Sequence, residues 1–196
     1  MNDPIMKLYD TIKFLELELE AELAKRGAEL QFGLERGKIA FEEEVRRRHK
    51  ELKTHLPKYL RNGRPLVALT APVIYVLVVP LVALDISVNI YQAICFPAYR
   101  IKKVRRRDYF VFDRNHLAYL NALEKLNCAY CSYATGMIAF VGEVVARTEQ
   151  YWCPIKHARR VLGAHEHYRD FIDFGDAEGY RAWLTKFEVG RNEPQK

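Results

Sequence analysis

From Pro65 to Tyr99 the chain runs for 35 residues without a Lys, Arg or Glu and with one acidic residue, Asp85. So apolar a stretch has to be taken out of water by a bilayer, a partner or the rest of the chain, and this constrains everything around it. Its first part, Pro65 to Leu84, is twenty uncharged residues, which matches the ~20 a helix needs to cross the hydrocarbon core of a bilayer. Pro72 and Pro80 complicate a plain span, because each removes a backbone donor and kinks a helix. Asp85, Asn89 and Gln92 follow at i, i+4 and i+7, a single polar face on an apolar helix running to Pro97.

Basic residues collar this block. Arg46 to Arg48 and Lys58, Arg61 and Arg64 precede it, and the run from Arg100 to Arg107 follows it. Anionic headgroups favour each such side chain by about 1 kcal/mol. The positive-inside tendency keeps both collars in the cytoplasm. A membrane-embedded hairpin over residues 64–100, turning near Pro80 to Asp85, satisfies both counts. The alternatives are a single span and a buried soluble hairpin covered by an oligomer.

Composition is an average over unlike parts. With 49% apolar and 29% charged residues in 196, the chain is neither generally disordered nor a polytopic membrane protein. The net charge of +6 does not indicate nucleic acid, because the clusters flank the apolar block and no zinc-finger, homeodomain or RNP-type pattern accompanies them. Met1 to Tyr9 lacks the basic and apolar regions of a signal peptide, so the remaining parts are expected in the cytoplasm.

Residues 5–56 contain no Pro and carry two apolar rows, Leu8, Leu19, Leu30, Phe41, Leu52 and Ile12, Leu23, Leu34, Val45, Leu56, each advancing by eleven. Eleven residues over three turns predict a long, nearly straight amphipathic helix or a right-handed coiled-coil seam. Gly27, Gly33 and Gly37 weaken it in the middle by up to ~1 kcal/mol each, so a bend or break is expected there. Glu16, Glu18, Glu20, Glu22 and Glu29 disfavour anionic lipid, so the stripe is expected to pair with another helix, in a homo-oligomer or with a partner protein.

After the basic run, Asp108 to Asp113 is a short aromatic segment, a strand or a packing element, and Asp113 or Asn115 is placed to cap a helix through Leu117 to Leu126. Helix is predicted again over 134–147. Pro154 opens a further helix that ends at Gly163, and residues 171–187 form a helical cap.

Cys128, Cys131, Cys153 and His157 give the chemical signal, C-x2-C-x21-C-x3-H. Three thiolates and an imidazole are a closed tetrahedral set for zinc, or for iron on the same ligands, with no open position for substrate. On two crossing helices each pair shares a face, and Tyr130, Tyr133, Tyr151 and Trp152 are expected to pack around the site. Reduced cysteines buried in a helical core are a second reading, and Cys95 reads as a buried apolar residue of the membrane block.

The run from Asn127 to Gly136, with Cys128 and Cys131 in it, resembles the C-x2-C segment of the alkylhydroperoxidase-D-like (carboxymuconolactone decarboxylase) family over about a dozen residues. The resemblance implies an all-helical thiol oxidoreductase in which Cys128 and Cys131 are catalytic. That family has a His four residues after the second Cys, where this chain has Thr135; His157 or Glu124 would have to replace it. Asp113, His116, Glu124, Glu143 and Glu149 lack the paired Glu-x-x-His pattern of a di-iron site and read as caps and solvated charges, as His165 and His167 read as surface residues.

The sequence thus predicts an all-α protein in four parts: a long amphipathic helix (1–63), an apolar hairpin (64–100), a helical cysteine domain (101–189) and a frayed tail (190–196). The expected role is a membrane-associated structural or interaction protein with a structural Cys3His site, assembling through its long helix. A membrane-bound thiol oxidoreductase and an accessory subunit of a larger membrane complex are the alternatives.

Overall fold

The computed structural model describes residues 4–29, 32–35, 38–41, 43–62 and 65–192. Leu30, Gly37, Gly63, Arg64 and residues 193–196 of the tail lie outside the described residues. Among the described residues, seven α-helices and one two-stranded ribbon follow in the order α1 (Pro4–Glu29), β1 (Phe32–Glu35), β2 (Lys38–Phe41), α2 (Glu43–Glu51), α3 (Leu56–Asn62), α4 (Pro65–Val76), α5 (Val78–Tyr99), α6 (Ala122–Trp152) and α7 (Ala177–Asn192). They divide into two compact units, one from Met1–Leu84 and Arg106–Met137, the other from Asp85–Arg105 and Ile138–Lys196.

The single long helix over residues 5–56 is not formed. α1 ends at Glu29, and β1 and β2 pair antiparallel with Phe32 opposite Phe41 and Leu34 opposite Ile39. Phe32 and Leu34 alternate, as do Ile39 and Phe41, so the same apolar residues fit a period of two, and Gly33 removes the helical advantage. Along α1, Leu8, Ile12, Leu19 and Leu23 of the eleven-residue rows are exposed, and so are Phe14, Leu15 and Leu17 beside them.

The apolar block does not turn at Pro80 to Asp85 either. α4 stops at Val76, the residue whose carbonyl the ring of Pro80 would strike four positions on. The Leu77 N–H donates to the Ile74 carbonyl at 3.2 Å, and the helical ladder resumes with Leu81 N–H to the Leu77 carbonyl at 3.3 Å. Pro80 is the third residue of α5, where its missing N–H would have had no helical acceptor. The block is therefore two nearly continuous helices. α5 closes with Ile101 N–H on the Phe96 carbonyl (2.8 Å) and Arg100 N–H on the Pro97 carbonyl (3.2 Å), Arg100 taking the left-handed position (φ 59°) more often held by glycine.

In the first unit, α4 packs on the start of α6 through Tyr75, whose ring meets Tyr130 at 5.8 Å and whose hydroxyl bonds Asn127. α6 begins at Ala122, later than the cap expected at Asp113 or Asn115, where the chain makes only a short 3-10 turn. Asn121 and Glu124 decide the start reciprocally. Asn121 Oδ1 accepts from the N–H groups of Leu123 and Glu124, both at 3.0 Å, and Glu124 Oε2 accepts from Asn121 N–H at 2.8 Å. The aromatic segment after the basic run is a packing element. Phe110 lies against Tyr133, and Tyr109 and Phe110 press on Gly136 so closely that a Cβ there would fall 2.7 Å from the Tyr109 carbonyl oxygen.

In the second unit, Tyr91 of α5 meets Thr148 at 3.0 Å, and Tyr99 meets Tyr151 and Trp152. The numbering rises together in both helices, so these parts of α5 and α6 run in the same direction. Phe96, Phe140, Val144 and Phe171 form the buried centre of this unit. No helix follows Pro154: Ile155 bridges to Ile172, and the Pro154 carbonyl accepts from Ile172 N–H at 2.8 Å, so β-branched pairing displaces the expected helix. α7 caps the unit through Phe187 against Tyr151.

Candidate functional site

The two longest helical stretches, Leu69–Tyr99 and Ala122–Trp152, are each 31 residues and apolar enough to cross a membrane. They differ in how much the protein itself covers them. Only 6% of the most apolar window of the first is buried, against 28% for the second. The chain is a helical, membrane-associated protein, and the Leu69–Tyr99 stretch is its most lipid-compatible surface.

α5 shows why. Three of its polar residues are turned inward: Asp85 and Gln92 are buried and Asn89 is half-buried. Val79, Val82, Ile86, Ile90 and Ile94, at helical spacing on the other side, are exposed. An aqueous helix has the opposite arrangement, so this inverted amphipathicity marks a face made for hydrocarbon. The inward residues are satisfied. Asn89 Nδ2 donates to the Asp85 carbonyl (2.8 Å) and carboxylate (2.7 Å). Gln92 Oε1 accepts from Val104 N–H at 2.5 Å while its Nε2 donates to the Val104 carbonyl at 3.4 Å, fastening the basic segment back onto the helix. In α4, Leu66, Leu69, Val73 and Val76 are likewise exposed.

On its other side the apolar block meets polar structure. The contact of Tyr75 with Asn127 and Tyr130 lies within two turns of Glu124 and of Lys125, whose Nζ donates to the Asn115 carbonyl at 2.8 Å. Farther along α6, Tyr133 contacts Phe110, over whose ring the Arg106 guanidinium sits at 4.2 Å. From residue 124 to residue 133 is about 14 Å of helix, less than the ~30 Å hydrocarbon core.

The second half of α6 carries a polar network where the sequence alone predicts solvated charges. Glu143 accepts from Arg147 Nε at 2.7 Å and lies 3.3 Å from His167 Nε2; Glu149 lies 3.0 Å from His165 Nε2; Arg147 Nη1 donates to the Lys102 carbonyl at 2.6 Å. Burial acts against the charged Glu143 carboxylate, but the Arg147 and His167 hydrogen bonds outweigh it and hold its pKa below the usual carboxylate value. The i, i+4 spacing of Glu143 and Arg147 was visible in the sequence, whereas the histidines arrive through a loop that spacing does not reveal.

The cysteines are placed at the two ends of α6. Cys128 (half-buried) and Cys131 (exposed) are one turn apart near its start, and Cys153 (exposed) follows its last residue. His157 lies in the loop beyond, its N–H donating to Tyr168 Oη at 2.6 Å and its ring stacked on Tyr168. From Cys131 to Cys153 is about 33 Å of α-helix. Among the described residues no three His, Cys, Asp or Glu side chains gather where they could hold a metal ion, the four of the C-x2-C-x21-C-x3-H pattern and the acidic residues considered for di-iron included. Nor do the aromatics seal a cysteine site: Tyr130 packs on Tyr75, Tyr133 on Phe110, and Tyr151 and Trp152 on Tyr99. Thr135, at the position where the resembled family has His, donates its hydroxyl to the Cys131 carbonyl. Cys95 is half-buried on α5.

Comparison of the chain with protein-family models, with curated proteins and with solved structures finds no match.

Proposed function

We propose that this protein is a non-catalytic assembly protein of the membrane surface, attached from the cytoplasmic side with α4 and α5 lying shallowly in one leaflet. The observation that carries the reading is the inverted α5, whose apolar residues point out and whose Asp85 and Gln92 point in. The polar flank supports the shallow depth: a full hydrocarbon core around Tyr75 would take in Glu124 and Lys125 as well. Shallow attachment also leaves both basic collars on one face, with anionic headgroups in reach of Arg61 and of the Arg100 to Arg107 run. The exposed apolar residues of α1 are the surface for assembly with a partner helix.

Binding of the full chain to sealed vesicles tests the attachment. Ile86→Lys with Ile90→Lys alters two exposed residues and no buried contact. Each apolar side chain lost from lipid removes about 1.5–3 kcal/mol, so the double variant should bind at least a hundredfold more weakly, and vesicles with anionic lipid should outbind neutral ones. Unchanged binding by the double variant would refute the assignment of this face to lipid.

A further inference from the structure

We infer that the cavity where α5 and α6 end side by side binds a phosphocholine headgroup, its quaternary ammonium held by three aromatic rings and its phosphate by Arg100. The cavity measures about 330 Å³ and is lined by Ala98, Tyr99, Arg100, Tyr151 and Trp152, all within the second unit. That volume falls in the range of roughly 300–1,000 Å³ usual for small-ligand sites. The Tyr99 and Tyr151 rings stack at 5.0 Å, and Trp152 stands nearly perpendicular to both, 5.3 Å from Tyr99 and 5.2 Å from Tyr151. The three rings therefore present π faces in two directions, as a corner does. Phe187 of α7 packs on Tyr151 at 4.9 Å, and Trp183 stacks on Phe187 at 4.9 Å, which braces the corner. Trp152 is nonetheless 55% exposed, more than a ring that only fills a core would be.

The chemistry of the lining selects the ligand. Aromatic faces attract a cation, and the C-terminal ends of α5 at Tyr99 and of α6 at Trp152 add the negative poles of two helix dipoles. Among the described residues no acidic side chain lines the cavity. A primary ammonium, which needs acceptors for its N–H groups when it leaves water, gains little there. A trimethylated ammonium has no N–H to satisfy and takes π faces instead. Arg100 makes a second demand. Its guanidinium repels a bare cation and favours one that carries its own anion, and guanidinium suits phosphate. The left-handed residue that closes α5 is Arg100 itself (φ 59°), so the turn of the chain sets it at this position. Phosphocholine joins the two required groups. Ile94, exposed on the hydrocarbon-facing side of α5, lies five residues before Tyr99, about 7.5 Å along the helix, which places the cavity within reach of lipid headgroups. A lipid as the source of the headgroup rests on the membrane attachment proposed above; the pocket itself does not.

Calorimetric titration of the full-length chain in a maltoside detergent tests the pocket. Phosphocholine should bind about tenfold more tightly than phosphoethanolamine, and Trp152→Leu should remove about that factor. Arg100→Asn keeps a residue suited to positive φ. It should weaken phosphocholine about tenfold or more and leave choline bound no less tightly than by wild type. Equal binding of phosphocholine and phosphoethanolamine, or no binding of phosphocholine, would overturn the site. Equal loss of choline and phosphocholine in Arg100→Asn would overturn the role given to Arg100. Sealed vesicles of fixed anionic content test the source. Replacing phosphatidylethanolamine by phosphatidylcholine should strengthen binding by wild type and not by Trp152→Leu. If phosphocholine binds in detergent but vesicles with either headgroup bind equally, the ligand is a soluble phosphocholine compound; the lipid source is then overturned and membrane attachment stands. If phosphocholine binds in detergent and no vesicle binds, attachment and the lipid source both fall.

Discussion

Gln92→Met isolates the contact that fastens the basic segment to the membrane-contact helix. Gln92 is 6% exposed and Val104 is also 6% exposed, so water does not readily replace either partner. Met keeps the length and most of the volume of the side chain, and what disappears is the acceptor 2.5 Å from Val104 N–H and the weaker donor 3.4 Å from its carbonyl. A buried donor left without a partner costs about 1–3 kcal/mol, and the long second bond adds little, so a loss of roughly 2–3 kcal/mol is expected. Both tryptophans, Trp152 and Trp183, lie in the unit that contains Gln92, so intrinsic fluorescence follows the unfolding of that unit. In urea titrations of detergent-solubilised protein the midpoint should fall while the slope stays constant. Ile90→Met, on the exposed face of the same helix, should change stability by less than about 0.5 kcal/mol. If Gln92→Met shifts stability no more than Ile90→Met does, the Gln92 bridge does not hold the basic segment.

Three further outcomes follow from named contacts. Gly136→Ala places a Cβ 2.7 Å from the Tyr109 carbonyl oxygen and 3.3 Å from the Phe110 Cα, backbone atoms that cannot step aside, and should destabilise by about 1–3 kcal/mol despite alanine's helix propensity, as read by thermal melting. Asn121→Ala removes the acceptor for two N–H groups at the start of α6 and should cost about 1–2 kcal/mol, with faster hydrogen exchange confined to the first turn of α6. The lowered pKa of Glu143 means that its stabilisation is present in full above the ordinary carboxylate pKa and is lost as the pH falls through the lowered value. Acid titration followed by tryptophan fluorescence should therefore show a stability loss below the usual carboxylate range that Glu143→Gln largely abolishes.

The sequence is most legible where one physical effect dominates. The lack of charge over residues 65–99 marks the apolar block, and the spacing of Asp85, Asn89 and Gln92 marks one face of α5. Whether that face points outward or inward depends on Val104 and the rest of the unit, and spacing does not contain it. No turn forms at Pro80 to Asp85 because a proline in the first turn of a helix is tolerated; Pro80 interrupts the helix behind it, at Leu77, and leaves Pro80 to Asp85 helical. The eleven-residue rows over-extended the first helix because Leu34 and Phe41 satisfy a helical and a strand pattern alike, and local pairing around Gly33 decides between them. For the cysteines, the C-x2-C spacing gives a one-turn pair on a helix, and Cys128 and Cys131 both lie on α6. That α6 continues unbroken to Trp152 and carries Cys153 far from that pair was not readable, since Asp113 and Asn115 competed with Asn121 as its cap and Pro154 imitated a helix start.

The central claim is that the apolar helices enter one leaflet and return no part of the chain to the far side. Protease sites placed next to Arg61 and next to Arg107, in full-length protein bound to sealed anionic vesicles, test it most directly. Shallow attachment predicts that both sites are cut by protease added to the side from which the protein bound. Cleavage at one site, with the other protected until the vesicles are opened, would show that the block crosses the bilayer and would contradict the account.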